Sequence, residues 1–242
     1  MPSLLPKVAR LLTLSWLVLL PLTLASCAAE APRQSYGCGI TPIPCLQNKA
    51  VVVLETSKGE VKLELDGVNA PLSAGNFVDL VRKGTYNGTV FHRVVRDPVP
   101  FVVQGGDPLS ADPKVPANQY GMGSYIEPGT GEARLLPLEL KRQGENRPSY
   151  GEVLSSPTAA RNLELTHERG AVAMARSRDA NSASSQFYIA LEALPELDGN
   201  YAVFGRVVQG MDVVDRIRQG DRITKARIEG LATLSAPAAP RP

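Results

Sequence analysis

Val61, Leu63 and Leu65 alternate with Glu60, Lys62 and Glu64, and a similar run over 51–55 lies on the other side of Ser57-Lys58-Gly59. A period of two on both sides of a tight turn predicts a hairpin with one wet face. The period then changes. Residues 71–83 put a proline near the start, Phe77, Leu80 and Val81 on one side and Gly84 at the stop, which predicts a helix. Short strand-like runs follow at 90–95, 101–104, 134–140, 171–175, 186–191 and 201–208. Residues 211–218 read as a second short helix stopped by Gly220, and 223–228 as a last strand. Short turns join most of these runs. The pattern predicts a mainly β fold: an eight-stranded closed antiparallel β-barrel capped by two α-helices.

The ends of the chain do not share this pattern. Lys7 and Arg10 precede an apolar stretch over 11–24 that Pro21 interrupts. It is shorter than the roughly 20 residues a membrane-spanning helix needs, so 1–26 read as a signal peptide. Leu24-Ala25-Ser26-Cys27 resembles a bacterial lipobox, whose cysteine is lipid-modified and becomes the first mature residue. That implies an exported lipoprotein anchored through Cys27 to a membrane, on its periplasmic or thylakoid-lumen side. Residues 27–49 are rich in Pro, Gly and Ala without a period and read as a flexible tether, reaching roughly 25 Å on average. Cys38 and Cys45 sit inside it. In an oxidising compartment they could close a small disulfide loop, and the spacing leaves open whether they pair. Residues 50–231 are then the folded domain, and 232–242 a disordered tail.

At 242 residues, 43% hydrophobic and 21% charged, the chain can bury a core of ordinary size and is not disordered throughout. Its formal charge of +2 falls to zero without Lys7 and Arg10. A neutral domain has no general electrostatic reason to bind nucleic acid, and none is expected as a partner. Three cysteines and two histidines, His92 and His167, lack metal-ligand spacing, so neither a metal nor a cofactor is expected. The sequence also contains no H-E-x-x-H, G-x-S-x-G or P-loop motif.

The motifs carry the reading further. Val90-Phe91-His92-Arg93-Val94-Val95 and Phe101-Val102-Val103-Gln104-Gly105-Gly106-Asp107 resemble the signature of the cyclophilin family of peptidyl-prolyl isomerases. Blocks at 170–175, 185–189 and 197–205 agree with it in order. The likeness covers about 50–231. An insertion at about 108–169, with Gly123-Ser124-Tyr125-Ile126-Glu127-Pro128 and Leu136-Pro137-Leu138-Glu139, looks most like exported cyanobacterial and thylakoid-lumen members.

The resemblance implies an enzyme acting on proline-containing polypeptides, a monomer, with no cofactor. Arg93 stands where the family places the cation that assists rotation. Phe101, Val102, Tyr188 and Leu197 match the proline pocket, and Gln104 the residue that holds the substrate backbone. Gln186 fits the same wall, and Ala175, Arg176 and Tyr201 complete the groove. Arg176 replaces a common asparagine, whose contribution is largely through backbone atoms. Tyr188 replaces a common phenylalanine and Tyr201 a common histidine. Glu196 occupies the position of the tryptophan through which many members bind cyclosporin. The loop 96–100 is longer than in familiar eukaryotic members. His92 reads as a buried structural histidine, and His167 as an unremarkable residue before a strand. A proline-segment chaperone with little catalysis, or an assembly factor docking through 108–169, is the alternative. Arg93, Phe101 and Gln104 together favour the enzyme.

Overall fold

The computed structural model describes residues 36–236. Ten strands are present: β1 Lys49–Thr56, β2 Gly59–Asp66, β3 Arg93–Val94, β4 Val102–Gly105, β5 Glu139–Leu140, β6 Ser149–Tyr150, β7 Ala171–Met174, β8 Phe187–Ala190, β9 Val203–Gln209 and β10 Ile223–Glu229. The helices are α1 Pro71–Arg82, α2 Pro157–Ala160 and α3 Met211–Arg216. Eight strands form one antiparallel sheet in the order β10-β1-β2-β9-β7-β8-β4-β3, and β5 and β6 pair separately.

The β1–β2 hairpin follows the alternation closely. Val61, Leu63 and Leu65 are buried while Glu60 is exposed, and Thr56 pairs with Gly59 so that Ser57 and Lys58 alone make the turn. Helix α1 lies in the hollow of the curled sheet. Phe77 stacks on Tyr86 at 4.6 Å and meets the edge of Phe187 at 5.1 Å, at the centre of the main core. Complete burial of a side chain of this size contributes about 1.5–3 kcal/mol.

The sheet is an open half-barrel, not the closed barrel that the pattern predicts. Closure needs every strand to have two ladder neighbours. The expected strand over 90–95 keeps only Arg93 and Val94 in the ladder, paired with β4. Upstream, Val90 makes an isolated bridge to Arg222, and the Phe91 N–H donates to the Asp221 carbonyl at 2.8 Å. Loop hydrogen bonds therefore span the gap between the first and last strands of the sheet. The expected strand over 134–140 is likewise reduced to Glu139–Leu140, because Pro137 has no N–H to give a ladder.

The described part of the expected tether, 36–49, is packed chain. Cys38 and Cys45 form a disulfide with Cα atoms 5.7 Å apart. Ile43, Cys45 and Leu46 are buried in the main core, and Leu46 bridges to Leu234. The strap lies so close to α1 that a Cβ on Gly75 would stand 2.2 Å from the Pro44 carbonyl oxygen. Only glycine fits there. Strands, helix and strap use neighbours at irregular spacing, which a periodicity argument does not see. The expected signal segment, Cys27 and residues 237–242 lie outside the described residues.

The insertion braces α1. Arg134, nearly buried, donates to Asp79 at 2.7 Å and to Asn76 at 3.1 Å, with its guanidinium 4.8 Å from the Tyr125 ring centroid. Glu139 accepts the N–H groups of Leu72 and Ser73 at 3.0 and 2.7 Å, in the first turn of α1. No side chain at the helix's own N-cap does this.

Candidate active site

Alternation along β4, β7 and β8 gives the sheet two different faces. Val103, Val172, Met174, Phe187 and Ile189 join the core beneath α1. Val102, Ala171, Ala173, Tyr188 and Ala190 point the other way and form a second apolar cluster with Ala175, Leu194 and Val203. Phe101, Leu197 and Tyr201 pack against this cluster while remaining partly exposed. The short alanines are covered, and Phe101, Leu197 and Tyr201 present a partly exposed apolar surface over them.

Register places the polar groups beside it. Arg93 is opposite Gln104, Gln104 opposite Tyr188, and Tyr188 opposite Ala173, in one row across four strands. The exposed Arg93 guanidinium sits 5.6 Å from the Phe101 ring centroid and makes a long 3.4 Å hydrogen bond to Gln104 Oε1. Among the described residues it has no carboxylate partner. Gln104 Nε2 donates to Gln186 Oε1 at 3.2 Å, and Gln186 Nε2 donates to the carbonyls of Gly121 and Gly123, each at 2.9 Å. A recess of about 180 Å³ continues past Gln186 towards Met122 and Arg176.

Arg176 folds over the rim. Its Nε donates to the Asn200 carbonyl at 2.9 Å, and its guanidinium lies 4.6 Å from the Tyr201 ring centroid. Tyr201 in turn meets Tyr188 edge-on at 5.8 Å. The structure brings the ten residues that the sequence assigns to a groove, from Arg93 to Tyr201, together as one apolar cluster and the polar wall beside it. His92 is half-buried, and burial holds its pKa below the ordinary value. Chemically, this surface offers a flat apolar group a place to pack beside the Arg93 cation. Among the described residues, no cluster of His, Cys, Asp or Glu could hold a metal.

The family model for cyclophilin type peptidyl-prolyl cis-trans isomerases matches residues 51–233. The chain belongs to the cyclophilin family. This cyclophilin is 37% identical over 196 residues to a thylakoid lumen peptidyl-prolyl cis-trans isomerase of Synechocystis sp., a match covering 77% of this chain and 48% of that one. It thus spans about half the length of that relative. It is 38% identical to peptidyl-prolyl cis-trans isomerase A of Dickeya dadantii, over 69% of this chain and 70% of the other. Among solved structures, a Cryptosporidium parvum cyclophilin superposes with a TM-score of 0.54 at 23% identity, over 76% of this chain and 99% of that one. That likeness is one of fold.

Two features of the cyclophilin groove escape a sequence reading. The longer loop 96–100 leaves the Arg93–Phe101 contact intact, because the hairpin closes behind it: the Phe101 N–H donates to Val95 at 3.0 Å, and Arg96 reaches the Val214 carbonyl at 2.9 Å. The second is His167, which the sequence marks as unremarkable. It is buried directly behind the groove, in contact with Tyr188. The available signal was Tyr188 itself, since a buried tyrosine hydroxyl needs a partner.

Proposed function

We propose that this cyclophilin turns X–Pro bonds in exported polypeptides as they fold, with Arg93 as the group that lowers the barrier. Turning the bond costs about 18–20 kcal/mol because the planar amide shares its nitrogen lone pair with the carbonyl. In the twisted state that lone pair is localised on a pyramidal nitrogen and can accept a hydrogen bond. A guanidinium aimed at it therefore stabilises the twisted state and not the planar ones, which is the condition for acceleration. The proline ring would lie on Val102, Ala175 and Tyr188 between Phe101 and Leu197. Gln104 and Gln186 would hold the preceding backbone while the other side turns. No covalent step is needed.

The observation that carries this reading is the Arg93 guanidinium, without a carboxylate partner among the described residues, beside the partly exposed apolar surface of Phe101, Leu197 and Tyr201. Export is supported by the leader-like 1–26, the lipobox-like 24–27 and the thylakoid-lumen name of the Synechocystis relative. Lipid attachment at Cys27 would hold the domain at a membrane. Uncatalysed prolyl steps take tens to hundreds of seconds, slow enough to limit folding there. Exchange spectroscopy on an X–Pro peptide at one hundredth its concentration of protein tests this. The isomerase reading expects faster cis–trans exchange at unchanged populations. A protein that only holds such segments would leave the exchange rate as it was.

A further inference from the structure

His167 and Asp198 come from different loops and meet behind Tyr188. His167 precedes β7, and Asp198 lies in the Leu197-Asp198-Gly199 turn that also supplies a rim residue of the groove. His167 Nδ1 is 2.7 Å from Asp198 Oδ1, which also accepts the His167 backbone N–H at 2.8 Å. His167 Nε2 is 2.8 Å from the Tyr188 hydroxyl. The imidazole is 2% exposed and the tyrosine 4%. Burial pushes the Tyr188 phenol well above its ordinary pKa, so the hydroxyl keeps its proton.

The donors can be assigned from chemistry. An ionised carboxylate only accepts, so Nδ1 carries the proton that faces Asp198. In the neutral ring Nε2 then accepts, and the Tyr188 hydroxyl donates. Each of these buried polar atoms has a partner, and the Tyr188 ring is held at a defined tilt, 13° from the imidazole plane and 81° from Tyr201. A phenylalanine in place of Tyr188 would need no such partner. A tyrosine without one would leave a buried hydroxyl unpaired, which is unfavourable and gives the ring a reason to move.

We propose that His167 is a positioning residue for isomerisation: held by Asp198, it fixes the Tyr188 ring as the floor of the proline pocket. The proposal rests on the reading of Tyr188 as that floor. It makes the importance of His167 conditional on the Tyr188 hydroxyl, one bond beyond the ring that it steers, which a purely structural histidine would not show.

A four-member cycle on the full-length protein tests this. Steady-state kinetics on an X–Pro peptide are measured for parent, His167→Gln, Tyr188→Phe and the double variant, with Arg93→Ala as a separate control. The expected result is a KM at least fivefold higher for His167→Gln than for the parent with kcat little changed. The double variant should lie within twofold of Tyr188→Phe. Equal losses in both backgrounds, or none in either, would overturn the positioning role, while an active parent and a dead Arg93→Ala leave the isomerase reading standing. An inactive parent overturns both. Should His167→Gln fail to fold, Asp198→Asn takes its place in the cycle, with the same expected and overturning outcomes.

Discussion

A cation on a two-residue strand is aimed only by what lies on either side of it, and at Arg93 those neighbours are Phe101 and Gln104. The residues assigned from the signature motifs come together because many of them lie in short consecutive runs on strands of fixed register. Glu196 carries an expectation about ligand choice, since it stands where the family resemblance puts a cyclosporin-binding tryptophan. It is exposed beside Leu197, where a tryptophan would pack against cyclosporin. Losing a neutral hydrogen bond costs about 0.5–1.5 kcal/mol, and losing an aromatic contact about as much again. Together they predict roughly 10–100-fold weaker drug binding than in a tryptophan-bearing member. Titration into the peptide assay checks this, and Glu196→Trp should recover part of the affinity. Inhibition of the parent at low-nanomolar drug would be inconsistent with it. His167 was illegible for the opposite reason. Its two partners lie 21 and 31 residues away, and no period connects them.

Helix α1 was easy to place from Pro71, Phe77, Leu80 and Gly84, yet what caps it was not, because the cap comes from the insertion. Glu139 is fully buried, and burial raises its pKa above the ordinary 4.5 despite the two backbone N–H groups and the Tyr150 hydroxyl that oppose the shift. A raised carboxyl pKa means that the folded state binds the proton more tightly than the unfolded chain. Stability from this site is therefore present below 4.5 and is lost as pH rises through the folded value. The Tm of the parent relative to Glu139→Gln should accordingly increase as pH is lowered from 7 towards 4.5. A gap that shrinks over that range would mean that the helix N-terminus holds the carboxylate ionised. Glu139→Ala should cost about 2–3 kcal/mol, the worth of charged hydrogen bonds at a helix start, or roughly 5–10 °C in Tm. The strap over 36–48 belongs to the same class of feature. Its composition resembles a linker, but Ile43 and Leu46 are core residues fixed by a disulfide, a bridge to Leu234 and the bare backbone of Gly75.

The half-barrel, its helix and its insertion leave an apolar surface with a cation at its edge, and the leader-like sequence before residue 36 bears on where it would work. If Cys27 carries lipid, Cys27→Ser should leave the domain folded and active while releasing it from the membrane fraction. Retention equal to the parent's would contradict the anchor. The openness of the sheet was not legible, because closure depends on whether 90–92 pair in a ladder, and Val90 makes only an isolated bridge across the gap. The central claim, that Arg93 lowers the rotation barrier, is tested most directly by the turnover of Arg93→Ala measured beside its thermal melt. The account predicts a fall in kcat/KM of at least about 100-fold, since a charged donor acting only in the twisted state is worth about 2.7–4 kcal/mol. The melt should stay within about 2 °C, as for other exposed substitutions. Near-parental turnover, or activity lost only in step with the melt, would contradict it.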